Sequence, residues 1–157
     1  MPFVNSLQDQ GLVQKEDKTT WADSPLNKKA KEDFCFVINK SGLAYFSKLG
    51  HIVVTGSGSK TLAECIVVGA DKKNNQVAIP ATELTDSEEL GRIAVVNYSD
   101  DAVEGIYLFS YAEIKKVGLF SRFKFSKKTN EYIIKASGID KCADNKFGVV
   151  FSKYLTK

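Results

Sequence analysis

Residues Ile93–Val117, IAVVNYSDDAVEGIYLFSYAEIKKV, decide the fold class. Two apolar, β-prone runs, Ile93–Tyr98 and Ile106–Ser110, flank a polar turn at Ser99–Gly105. Their length and composition are those of buried strands. Tyr111–Val117 then suits a short helix. Strands followed at once by a helix place both element types around one core. Downstream, Leu119–Ser126 and Tyr132–Lys135 read as a hairpin across Lys127–Asn130, and Phe147–Phe151 as a last strand. Upstream, His51–Thr55 is a short β-branched strand. Leu62–Val68 and Gln76–Pro80 read as a hairpin around Asp71–Asn75, and Asp86–Leu90 as a helical turn.

Ser24-Pro25 has the signature of a helix start, a capping hydroxyl followed by proline at the first helical position. Between Lys28 and Leu49 the apolar spacing is roughly helical, but Asn39-Lys40-Ser41-Gly42 interrupts it. Two readings stay open: a helix broken at Gly42, or a strand at Phe34–Ile38 followed by a helix at Leu43–Leu49 that Gly50 ends. Residues 1–27 show no period and read as an extended arm, with Trp21 as its candidate partner-binding anchor. The expected architecture is α+β (mixed α/β). A single domain, 28–157, has a central mixed β-sheet flanked by helices and carries the N-terminal arm.

The 157 residues suffice for one core without disulfide or metal. No apolar run is long enough to span a bilayer, so no membrane partner is expected. The cysteines Cys35, Cys65 and Cys142 form no CxxC pair, and His51 is the one histidine, which argues against a zinc site. Three cysteines with no secretory signal fit the cytoplasm, of a host cell if the protein is viral or from a mobile element.

Net charge is +3, unevenly spread. Residues 1–63 carry eight basic and six acidic side chains, 64–110 three and nine, and 111–157 eleven and four. The C-terminal third is therefore basic enough to attract a polyanion. Only Arg92 and Arg122 are arginine, so contacts would be to phosphate and not to base edges. In Phe120–Lys128 (FSRFKFSKK), strand alternation puts Arg122 and Lys124 on one face and Phe123 and Phe125 on the other. The candidate phosphate contacts are Lys115, Lys116, Arg122, Lys124, Lys127, Lys128 and Lys135. A basic solvated surface with a core-facing aromatic side accounts for the same pattern.

Two other patterns carry chemistry. Thr55–Thr61 (TGSGSKT) has the glycines, lysine and hydroxyl of a phosphate loop, but Val54 and Ser59 stand where the signature needs glycine, so it reads as a connector. Asp100, Asp101, Glu113 and Lys115 have the residue types of a catalytic Mg²⁺ site. Carboxylates would hold the ion and lysine would orient the attacking water. A solvated helix start explains Glu113 and Lys115 as well.

From Gly42 to Lys135 the layout (GLAYFSKLGHIVV, a strand hairpin, a strand, IYLFSYAEIKKVG) resembles the restriction-endonuclease-like, or PD-(D/E)XK, nuclease superfamily. The resemblance implies a nuclease-like fold whose hairpin strands carry an Asp and a Glu/Gln-x-Lys. The first position falls near Glu64. The second falls on Ala78-Ile79-Pro80, which supplies neither carboxylate nor lysine, with Glu83 and Asp86 close by. The implied function is nucleic-acid binding through the basic third. The alternatives are a protein-interaction or self-assembly component using residues 1–27, and a metal-dependent nuclease.

Overall fold

The computed structural model describes residues 24–84 and 89–155. Helix α1 spans Pro25–Lys40, capped by the Ser24 hydroxyl, which accepts from the Asn27 N–H at 3.2 Å. Its buried positions Asn27, Ala30, Phe34 and Ile38 repeat at three and four residues and form one face. At its end the Leu43 N–H reaches the Ile38 carbonyl and the Gly42 N–H that of Asn39, with Gly42 at φ 84. This is a Schellman ending, which turns the chain out of the helix.

Beyond Gly42 the chain forms a strand and not a second helix. Ala44–Lys48 is strand β1, paired antiparallel with β2 (His51–Thr55). Leu49 and Gly50, at φ 51 and 84, form the two-residue turn between them. Both central positions of that turn need positive φ, and this overrides the helical spacing of Leu43, Phe46 and Leu49. The alternative strand at Phe34–Ile38 lies inside α1.

Strand β3 (Thr61–Ala70) pairs antiparallel with β2 and parallel with β5 (Gly91–Ser99), which pairs antiparallel with β6 (Ala102–Ser110). The sheet order is β1-β2-β3-β5-β6. Strand β4 (Gln76–Pro80) does not fold back on β3 as the hairpin reading expected. It joins a second antiparallel sheet, β4-β8-β7, with β7 at Phe123–Ser126 and β8 at Glu131–Lys135. Helix α2 (Tyr111–Lys115) follows β6. Phe147–Val150 is a short helix, α3, and not the expected strand. One helical turn brings Phe147 and Phe151 together, ring centroids 5.0 Å apart, and sends both into the core.

The middle of the five-stranded sheet, β2, β3, β5 and much of β6, is thus covered on both faces. One core joins α1 and α3 to Val54, Cys65, Val67, Ala94 and Leu108. The other joins Ile66, Val68, Val95 and Phe109 to Val77, Ile79 and Ile134 of the small sheet and to Tyr111 and Ile114 of α2. The α+β class with a central mixed sheet holds, with a second sheet supplying much of one covering layer. Asn27 pins α1 to the sheet: its side-chain carbonyl accepts the buried Gly69 N–H at 2.8 Å. A Cβ at Gly69 would lie 2.9 Å from the Leu26 carbonyl oxygen, so the close approach requires glycine. Across the same face the Tyr98 hydroxyl donates to Asp33 at 2.6 Å, and the Lys29 ammonium sits 4.2 Å over the Tyr98 ring.

Candidate nucleic-acid interface

The small sheet sets the basic flank. In register, Phe123 faces Ile134, Lys124 faces Ile133 and Phe125 faces Tyr132. The expected alternation holds: Phe123 packs edge-on against Phe109 at 5.3 Å, and Phe125 meets Tyr132 at 5.0 Å. Lys124 and Lys135 then share the opposite face, turned away from the large sheet, with Ile133, Ala78 and Glu131. Lys127 and Lys128 lie in the turn joining β7 to β8, and Lys116 leads out of α2 towards β7. Among the described residues, Lys116, Lys124, Lys127, Lys128 and Lys135 are exposed, and none has a carboxylate within ion-pair distance.

Arg122, also expected to contact phosphate, has a structural role as well. Its guanidinium donates to the carbonyls of Lys135, Ser137 and Gly138 at 2.7, 2.9 and 3.2 Å. The planar fork staples the loop after β8 to the start of β7. Three of its five N–H groups are engaged in this way, and its charge adds to the local field.

A feature absent from the sequence reading stands beside Arg122. The Ser121 N–H donates to the Gly118 carbonyl at 3.2 Å, closing a four-residue turn with Leu119 and Phe120 at its two corners. Phe120 is 96% exposed and Leu119 79%. The Gly118 N–H bonds the Phe123 carbonyl, the Ser121 hydroxyl donates to the Lys116 carbonyl, and the Phe123 N–H donates to that hydroxyl. The available signal was a glycine followed by two large apolar residues inside a lysine-rich run, which the strand reading of Leu119–Ser126 absorbed.

The four residues proposed for metal catalysis are not brought together. Asp100 and Asp101, at φ 51 and 67, form the two-residue turn between β5 and β6. Glu113 and Lys115 follow the other end of β6. The nine residues of β6 separate them by roughly 30 Å at about 3.3 Å per residue. Glu113 serves the fold instead. It accepts from the Ser110 N–H at 2.8 Å, completing a capping box, and from the Asn145 amide at 3.1 Å. Among the described residues no group of three His, Cys, Asp or Glu side chains is placed to hold a metal ion.

The positions implied by the nuclease resemblance also part company. Glu64 is on β3 and Ala78-Ile79-Pro80 on β4, in different sheets. Glu83 lies 3.6 Å from His51 Nε2, and Asp86 and Trp21 lie outside the described residues. The TGSGSKT segment forms a tight turn at Ser57–Ser59 and passes directly into strand β3, so no helix N-terminus backs it. Cys65 is buried, and burial pushes its thiol up to about 12. All three cysteines are free thiols. Among the described residues no helix is long and apolar enough to cross a membrane. The chain matches no known protein-family model and no curated protein sequence.

Proposed function

We propose that this protein binds nucleic acid, gripping phosphates with the lysines of the small sheet and its flanking loops. The observation that carries the reading is the grouping of Lys116, Lys124, Lys127, Lys128 and Lys135 on one hairpin and its approach, with no carboxylate of the described residues within ion-pair distance. Five ammonium groups on a fixed scaffold make a positive strip, and lysine meets phosphate as a point charge without reading sequence. Hydrolysis is not part of this reading, because the proposed Mg²⁺ ligands occupy opposite ends of β6. The free thiols fit work in the cytoplasm. The test is binding of labelled oligonucleotides by fluorescence anisotropy over a salt series. Affinity should fall steeply and linearly on a log–log plot. Affinity indifferent to salt removes the reading.

A second reading, self-association, is favoured by strand β1. Among the described residues it pairs only with β2, and every residue of it is exposed. Tyr45 borders a groove with Phe36, Cys35 and Ile52, and Phe46 and Leu49 are exposed nearby. An open edge of this kind pairs readily with another strand. The same groove holds Lys31 and Glu32, one charge of each sign, which suits an isologous contact with a second copy. Sedimentation of the wild type and Phe46→Lys decides it: a dimer dissociated by the substitution supports the edge, and a monomeric wild type excludes it.

A further inference from the structure

The exposed turn beside the lysines narrows the ligand. We propose that Gly118–Ser121 is a stacking platform for single-stranded nucleic acid, with Phe120 against an unpaired base and the phosphates along Lys116, Lys124, Lys127, Lys128 and Lys135. This rests on the nucleic-acid reading above and adds the strand state of the ligand.

Three observations support it. Turn corners ordinarily carry Gly, Pro, Asn, Asp or Ser. Here they carry leucine and phenylalanine, and the phenylalanine is almost wholly in water. Next, the turn is braced: its own backbone bond, three bonds to Lys116 and Phe123 and the Arg122 staple beside it fix the backbone that carries the ring. A turn whose backbone is fixed in advance loses little backbone freedom on binding. Finally, the cations begin beside the turn, at Lys116 and Lys135, and continue beyond it. The four residues of β7 carry the charge about 13 Å from the turn to Lys127 and Lys128. A phosphodiester chain follows such a track while a base meets the ring, the usual arrangement for single strands. A duplex keeps its base faces stacked inside and offers the ring nothing. A lipid surface would favour a ring of cations around an apolar tip over a track.

The experiment compares the full chain with Phe120→Leu and Phe120→Trp. Leucine keeps an apolar side chain that cannot stack, and tryptophan keeps a stacking face. Since Phe120 makes almost no internal contact area, both variants should fold as the wild type does. The ligands are a short oligothymidylate, a duplex of equal charge, and phosphatidylserine–phosphatidylcholine vesicles. The expected result is tighter binding of the single strand, lost about tenfold in Phe120→Leu and kept in Phe120→Trp, with duplex binding unchanged. Salt-dependent binding of both oligonucleotides that Phe120→Leu leaves intact overturns the platform and leaves the phosphate reading standing. Binding to neither oligonucleotide removes both. Vesicle binding that survives Phe120→Leu replaces the single strand with an anionic lipid surface.

Discussion

Replacing Lys124 and Lys135 together by alanine gives the sharpest test of the basic flank. Both side chains stand on the outer face of the small sheet, are exposed and have no ion-pair partner among the described residues. Their loss should cost the fold little. Each lysine that neutralises a phosphate on a single strand contributes about −0.7 to the slope of log affinity against log salt. Five such contacts predict a slope of about −3.5, and removing two leaves about −2.1. Between about 50 and 200 mM salt the wild type should therefore weaken by about 130-fold and the double variant by about 20-fold. Anisotropy titrations at four or more salt concentrations measure both lines. Lys48→Ala with Lys60→Ala is the control: Lys48 is on β1 and Lys60 just precedes β3, towards the other edge of the large sheet. The reasoning fails if the control pair flattens the slope as much, because the field would then be that of the whole surface and not of the hairpin.

Glu113→Ala should lower stability by about 1–2 kcal/mol in urea unfolding, since it deletes one arm of the capping box and the Asn145 contact. An unchanged midpoint would show that the carboxylate contributes nothing to the fold. Alkaline pH should destabilise the protein. Burial pushes the Cys65 thiol and the Tyr111 hydroxyl up to about 12, and raises Tyr98 and Tyr107 as well. The folded chain then keeps protons that the unfolded chain releases. Stability is complete below about pH 8.5 and falls as pH climbs towards 12. Urea midpoints that stay level from about pH 9 to 11 would contradict these burial effects.

The elements legible in the sequence are those whose signals are local. Ser24-Pro25 carries its own cap, HIVVT its β-branching, and Ser110 and Glu113 a helix start. Leu43–Leu49 misleads because its apolar residues fall at helical spacing while most of them face solvent on an edge strand, and periodicity reports burial only where there is burial. The partner of β4 is not local at all. Val77 and Ile79 alternate as a strand should, but nothing within them states that β8, more than fifty residues later, completes their sheet. At the site, the lysines were visible as composition. The Arg122 staple was not, because its acceptors are backbone carbonyls with no sequence signature. Separation of Asp100 and Asp101 from Glu113 was readable in principle, since a nine-residue strand between two groups holds them apart.

The β4–β8 pairing also bears on how the chain must be made. During synthesis β4 emerges early and waits for the last quarter of the polypeptide. Until then Ile66, Val68, Val95 and Phe109 lack their cover, a water-facing apolar wall on an otherwise complete sheet. A chain cut short just before residue 131 would be a sticky, incomplete product, a target for chaperones or proteases. For the same reason the basic hairpin cannot be excised as a working fragment, since its third strand is encoded upstream.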